Sequence, residues 1–172
     1  MLPNVNNRMF VKYERQKGHV YIDIPIIFEG STKEDIINFV YDTGAYITVI
    51  NRERYLKYSL DKLPRYETNI GGYSGLTPGY IFQIPGLIIG QRLLKGVWAF
   101  SPKGEDEQQN LLGDNVIEYF IPIQDNHNDC FYFPDNPTPE PFVDTETLFS
   151  LACNGVFYVD DNELQNTIGW EK

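Results

Sequence analysis

Apolar residues recur at alternate positions or gather into short runs along much of the chain, with Gly and Pro punctuating between them. The clearest case is His19 to Ile26, where Val20, Ile22, Ile24 and Ile26 fall on one face at the period of a β-strand. Pro25 cannot donate to a ladder, which places that strand at an edge or near its own end. Arg8 to Arg15 reads as a short strand before it, and Gly30 to Glu34 as a polar turn after it. The next stretch, Phe39 to Ile50, has an apolar run, an interruption at Asp42-Thr43-Gly44, and a second apolar run. Val40, Thr48, Val49 and Ile50 are β-branched and Tyr41 is aromatic, so both flanks predict buried strand. Asn51 is placed to cap a brief helix over Arg52 to Lys57. Arg65 to Ile70 and Tyr80 to Ile84 predict two strands. Their connector, Gly71 to Gly79, holds four glycines in nine residues and reads as a hairpin tip over a surface. Leu87 to Gly90 and Lys95 to Phe100 predict a further hairpin-like pair, and Ser101 to Gln109 a charged loop. Finally, Asn110 to Gly113 is an apolar strand ending on glycine. It opens a helical turn in which Val116, Ile117 and Phe120 share a face.

Composition agrees with a β-rich chain. Its 172 residues suit one domain with a real core, and 12 Tyr and 11 Phe favour strands. The net charge of −10 argues against nucleic acid or an anionic membrane surface as partner. No apolar run is long enough to span a bilayer, and the first residues lack the apolar segment of a secretory leader. Cys130 and Cys153 are too few and too far apart for a disulfide scaffold, so two reduced, buried thiols are expected. A cytoplasmic location is the resulting default.

The candidate chemistry sits at Asp42. A carboxylate between two buried strands is costly unless it is hydrogen-bonded or has a task. Gly44 has no Cβ to keep backbone amides away from it, and Thr43 offers a hydroxyl to tie the turn to a neighbour. The plain alternative is an Asx-type turn, for which the same tripeptide is well suited. Other chemistries find less support. Gly72-Tyr73-Ser74-Gly75-Leu76 misses the nucleophile-elbow pattern at its last position. His19 and His127 are isolated, no Cys/His cluster has metal spacing, and no glycine-rich loop carries a phosphate-binding Lys, so no metal or other cofactor is expected.

An apolar strand into Asp42-Thr43-Gly44-Ala45, a glycine-rich hairpin, and Leu111-Leu112-Gly113 opening a short helix together resemble the retroviral-type, single-lobe aspartic proteases (retropepsins) and their cellular and bacterial relatives. The likeness spans residues 18 to 125, with Gly113 lying 71 residues after Asp42. It implies an all-β fold: a retropepsin-like closed β-barrel lobe with a flap hairpin and one or two short helices. Leu111, Leu112 and Gly113 would thread beside the Asp42 strand in a ψ-shaped unit, as structure rather than chemistry. The implied activity is endopeptidic hydrolysis of a polypeptide substrate, with two carboxylates activating water between them. The chain carries a single Asp-Thr-Gly, so the resemblance implies a homodimer with one Asp42 from each copy. Thr43 would reach the partner's loop, Gly44 would meet substrate main chain, and Ala45, Tyr46, Ile47, Gly71, Gly72, Tyr73 and Ser74 would contact substrate. A catalytically silent binding or dimerisation module on the same fold is the competing reading.

Two features depart from the family pattern, and one assignment stays open. Tyr46 and Ile47 stand where retroviral enzymes carry acids that hold substrate backbone, which implies a more apolar grip. Asp114 stands where they place an arginine that braces the dimer. Tyr73 and Tyr80 are both candidates for a flap tyrosine. Residues 1–125 then form the protease lobe and 126–172 an extension. In that extension a stiff linker, Asp135 to Pro141, precedes a hairpin turning at Asn154-Gly155. An isolated hairpin is not stable in water, so it must pack on the lobe as an extra β-layer or at the dimer interface.

Overall fold

The computed structural model describes residues 10–32, 34–72, 75–90, 92–104, 109–133 and 158–159. In chain order the described elements are β1 (Phe10–Gln16), β2 (His19–Ile27), β3 (Ile36–Tyr41), β4 (Thr48–Val49) and α1 (Arg52–Lys57). After a 3-10 turn at Leu60–Lys62 come β5 (Arg65–Gly72), β6 (Gly75–Ile84), β7 (Gly86–Ile89), β8 (Arg92–Lys95) and β9 (Val97–Pro102). Last are β10 (Asn110–Leu112), α2 (Asp114–Phe120), β11 (Ile123–Asp125), β12 (Cys130–Tyr132) and β13 (Tyr158–Val159). The chain is thus mostly β, with two short helices among the described residues.

The period-two pattern of β2 is realised in the core: Ile22, Ile24 and Ile26 are fully buried, while Asp23 faces solvent. Pro25 stands near the end of its strand, as expected, but β2 is not an edge. It pairs with β3 on one side, and on the other with β1 as far as Ile22 and with β7 from Ile26 onward. The Ile26 N–H donates on the β3 side, to the Asp35 carbonyl at 2.9 Å. The Pro25 nitrogen therefore faces the gap between β1 and β7, where no ladder bond is lost.

The centre of the sheet is a crossing. Strand β10 runs parallel to β3, with Asn110, Leu111 and Leu112 opposite Phe39, Val40 and Tyr41. On its other side it pairs antiparallel with β4 through Leu111 and Val49, and β4 runs parallel to β9. The full pairing path is β11-β12-β1-β2-β3-β10-β4-β9-β6-β5, with β7, β8 and β13 branching from β2. Its two ends, β11 and β5, are not paired with each other among the described residues, so strand pairing there leaves the sheet open.

Two local expectations change. Lys95 to Phe100 is not one strand: Gly96, at φ 73°, separates β8, which pairs with β7, from β9, which pairs with β6. The glycine-rich connector is largely strand as well, because β5 continues to Gly72 and β6 starts at Gly75. Glycine weakens a strand without forbidding it, and cross-strand pairing from Arg65↔Phe82 to Gly72↔Gly75 carries the ribbon through. Helix α1 forms as expected, with the Asn51 side chain accepting the Arg54 N–H at 2.9 Å. On α2, Val116, Ile117 and Phe120 are all buried.

Phe39, Phe82, Phe120, Phe131 and Phe133 are fully buried and, with the isoleucines of β2 and β3, form one large core. A separate small cluster joins Ile47, Ile81 and Phe100, with Val49, Ile70 and Trp98 against it. Strand β12 pairs with β1, and Cys130 on it is a buried free thiol. From the segment after it, β13 adds to β8, with Tyr158 opposite Lys95. The expected linker, the Asn154-Gly155 turn and Cys153 lie outside the described residues.

Where β10 ends, the chain has no room for a side chain. A Cβ on Gly113 would lie 2.4 Å from the Ile47 carbonyl carbon and 2.7 Å from the Thr48 nitrogen. By contrast, a Cβ on Gly18 would meet nothing within 4 Å, although its φ of 80° disfavours other residues. Gly113→Ala should therefore cost about 3 kcal/mol or more of unfolding free energy, and Gly18→Ala about 1 kcal/mol. Urea denaturation of the two variants beside the wild type checks the order; equal losses would contradict the close approach.

Candidate functional site

The Asp42 loop leaves the end of β3 and is held from both sides by backbone bonds. The Asp42 N–H donates to the Leu112 carbonyl at 3.1 Å, which extends the β3–β10 pairing into the loop. The Ala45 N–H closes the turn on the Asp42 carbonyl at 3.3 Å. The Gly44 N–H donates to Asp42 Oδ1 at 2.9 Å. A Cβ on Gly44 would sit 3.2 Å from that oxygen, so the glycine keeps the approach open. The carboxylate is half-buried, with one oxygen engaged by an amide of its own turn. On these bonds alone an Asx-type turn is satisfied. What sets the loop apart is the structure under it.

That support comes from two residues outside any motif, Thr48, which the sequence marks only as strand, and Asn115. Thr48 is fully buried and Asn115 nearly so. Asn115 Oδ1 accepts from the Thr48 N–H at 2.9 Å and the Thr48 hydroxyl at 3.0 Å, while its Nδ2 donates to the Trp98 carbonyl at 2.8 Å. Thr48 Oγ1 in turn accepts the Gly113 N–H at 3.2 Å. The Asp114 N–H donates to the Ala45 carbonyl at 2.7 Å. One buried network thus ties the loop, β4, β9 and the first turn of α2 together. A detectable signal existed in a threonine and an asparagine within otherwise apolar, strand-like and helix-like segments, since buried polar groups require partners.

The other expected site residues divide into groups. Thr43 and Gly44 are exposed and Ala45 is half-buried. Tyr46 is 68% exposed, projecting beside the loop, whereas Ile47 is 2% exposed and packs inward on Ile81 and Phe100. Gly71 lies exposed on the β5–β6 ribbon, with Gly72 at the end of β5. Tyr73 and Ser74 lie outside the described residues. Tyr80 is not at the ribbon's tip; it is half-buried at the base, opposite Glu67.

The electrostatics of the loop are set by carboxylates. Burial, then the charge of Glu118, then that of Asp42 push the Asp114 carboxyl up to about 6. Tyr41, at the end of β3, stacks on Phe131 with ring centres 4.3 Å apart. Burial and then Asp114 push its phenol up to about 12. Among the described residues no cation forms an ion pair with Asp114. Aspartate in place of arginine here leaves the neighbourhood of Asp42 negative.

Among solved structures the chain is similar to a retropepsin-like aspartic protease from Rickettsia conorii. The match has 21% sequence identity, covers 71% of this chain and 87% of that one, and gives a TM-score of 0.53. No protein-family model and no curated protein matches the sequence. The fold is retropepsin-like. No helix among the described residues is long and apolar enough to cross a membrane.

Asp114 offers a test of the site's electrostatics. Its pKa is raised in the fold, so its contribution to stability is fully present below about pH 4 and is lost as pH rises through about 6. Asp114→Asn keeps the neutral form at every pH. The variant should match the wild type near pH 4. At pH 7 it should exceed the wild type by on the order of 1 kcal/mol, after allowance for solvent screening. Unfolding curves at the two pH values check this; a variant less stable than the wild type at pH 7 would refute it.

Proposed function

We propose that the protein is an aspartic endopeptidase whose active unit is a homodimer, with one Asp42 from each copy activating water against a peptide carbonyl. The observation that carries this reading is the Asp42 loop itself. A half-buried carboxylate held by the Gly44 amide stands on a retropepsin-like crossing, once per chain. Peptide hydrolysis of this kind needs two carboxyl groups sharing one proton, one as base toward water and the other as acid toward the carbonyl. A second copy related by a two-fold axis supplies the missing group. The exposure of Thr43 and Gly44 in the single chain suits a surface that a partner or a substrate covers.

In this reading the β5–β6 ribbon is the flap. It extends beyond the rest of the sheet, because β9 pairs with β6 only from Gly79 to Ile84. Closing such a ribbon over substrate excludes water and holds the scissile bond against the dyad. Of the two residues that stand in place of the acids of the retroviral pattern, exposed Tyr46 offers substrate an apolar contact, while Ile47 is buried on Ile81 and Phe100 and supports the loop from beneath. In the extension after residue 125, the described strands β12 and β13 pair with β1 and β8.

Activity should lie on the acid side for two reasons. A carboxylate pair titrates as a coupled unit, one group low and one raised. A dimer also gathers two copies of the Asp42, Asp114 and Glu118 neighbourhood, whose mutual repulsion relaxes as Asp114 takes up its proton below about pH 6. Cleavage of an unstructured protein should therefore fall as pH rises from 5 to 7. A rate that climbs into alkali would point to another mechanism.

The decisive experiment uses Asp42→Asn, which keeps the shape of the side chain and removes the shared proton. The purified variant should lose at least about 10³-fold in rate with unchanged thermal unfolding. Equilibrated in excess with wild type, it should draw wild-type chains into heterodimers and lower the activity per wild-type chain steeply. Flat activity with proven subunit exchange would mean that the second carboxyl is not supplied by a second copy. Turnover retained in the pure variant would remove Asp42 from the chemistry and leave the fold serving a binding or dimerisation role.

A further inference from the structure

The β5–β6 ribbon carries different chemistry on its two faces. Alternation puts Tyr66 and Ile70 of β5 on the same side as Ile81 of β6, and this side meets Trp98, Phe100 and Ile47 beside the Asp42 loop. Arg65, Glu67, Tyr80 and Phe82 lie on the opposite side, toward α1, where Tyr55 packs 5.0 Å from Phe82 between ring centres. The inner face meets the lobe through aromatic and aliphatic side chains. The outer face holds a compact set of charges around one ring.

That ring is Tyr80. The Arg65 guanidinium carbon stands 4.2 Å from its centre and the Lys103 ammonium 5.1 Å. Both cations are themselves fixed. Arg65 Nη1 donates to the Asp61 carbonyl at 3.0 Å and to the Tyr55 hydroxyl at 3.3 Å. Lys103 pairs with Glu67 at 3.1 Å, and its N–H donates to the Pro78 carbonyl at 3.0 Å. The Lys103 carbonyl accepts from Arg52 on α1 at 2.7 Å. Tyr80 thus joins β5, β6, the end of β9 and α1 at one point.

The position of that point matters. Among the described residues, β6 beyond Gly79 pairs as a strand only with β5, apart from the single Lys103 bond to Pro78, and β5 pairs only with β6. At Gly79 itself a Cβ would lie 2.3 Å from the Ser101 carbonyl oxygen and 2.4 Å from the Phe100 ring, so the ribbon leaves the sheet in close backbone contact. The cluster around Tyr80 sits one residue inside this departure. A two-stranded ribbon has little stability of its own, so its direction is decided where it is anchored.

We propose that Tyr80, gripped by Arg65 and Lys103, is the positioning residue that sets the angle of the β5–β6 ribbon over the Asp42 loop. The proposal builds on the flap reading above. Tyr80 acts from the base of the ribbon through the strand, and does not touch substrate. An aromatic face is required for the two cation–π contacts and a phenol is not, which separates this role from a hydroxyl contact to substrate.

The test compares Tyr80→Phe, Tyr80→Leu and Lys103→Met by amide hydrogen exchange and by kinetics. In Tyr80→Leu, exchange at Asn69 to Gly71 and at Leu76 to Thr77 should accelerate at least about fivefold, with amides of β2 and β3 unchanged. Tyr80→Phe should restore wild-type exchange, and Lys103→Met should fall between. With a peptide substrate, Tyr80→Leu should raise KM by a similar factor and leave kcat within about twofold, since only the fraction of competent ribbon changes. Should Tyr80→Leu not fold, Lys103→Met carries both measurements. Unchanged ribbon exchange, or acceleration shared equally by β2 and β3, would overturn the proposal. So would failure of Tyr80→Phe to restore exchange. Localised acceleration without any peptidase activity would retain the clamp and reject the protease reading instead.

Discussion

Everything near the Asp42 loop depends on two backbones passing where only glycine fits. Strand β10 enters between β3 and β4, and Gly113 then crosses the Ile47–Thr48 peptide at a distance no Cβ permits. A crossing this close buries amides and carbonyls that sheet pairing alone does not serve. Thr48 and Asn115 meet that need with a connected set of bonds, each contributing about 1 kcal/mol net but costing more than that if left unmade. The loop inherits its rigidity from this arrangement. Asp42 is placed by β10 on one side and, through Ala45 and Asp114, by α2 on the other.

The same crossing decides which charges surround the Asp42 loop. The first residue of α2 must lie beside the loop, because its N–H is the donor that fixes Ala45. Whatever side chain stands there is therefore a neighbour of Asp42. An arginine would neutralise the site; Asp114 does the reverse, and with Glu118 one turn later it adds to the local negative charge. Tyr41 responds to the same field from the far side. A site with this charge favours a proton over a second negative group, which suits chemistry that requires a shared proton.

Much of the arrangement was legible in the order of residues. The strand into Asp42-Thr43-Gly44, the capped helix after Asn51 and the Leu-Leu-Gly strand opening a helix all appear where periodicity and turn residues put them. The retropepsin-like fold follows from their combination. What escaped was decided by tertiary contact. Gly71 and Gly72 look like loop in the sequence, yet ladder pairing carries β5 through them. Pro25 stands near the end of β2 as its sequence allows, yet the gap between two partners that accommodates it inside the sheet has no local signal. Gly96 breaks an apolar run that no local signal distinguishes from a continuous strand. The Thr48–Asn115 network joins residues 67 apart in the chain, beyond the reach of any window of pattern.

The site therefore combines a stiff part and a free part with different physical supports. The loop is fixed by buried, mutually satisfied hydrogen bonds, which tolerate little displacement before a polar group is stranded. The ribbon is fixed at its base by cations against a ring and by one exposed ion pair, contacts whose energy varies softly with distance and is screened by salt. Such a clamp can hold a mean direction while permitting a swing. In the proposed dimer each Asp42 carboxylate would meet its copy within hydrogen-bonding distance, a task that calls for the first kind of support. A ribbon acting as the proposed flap would admit and then cover an extended chain, a task that calls for the second. With the buried network under Asp42 and the exposed cluster at Tyr80, the stiffness of each part matches the task proposed for it.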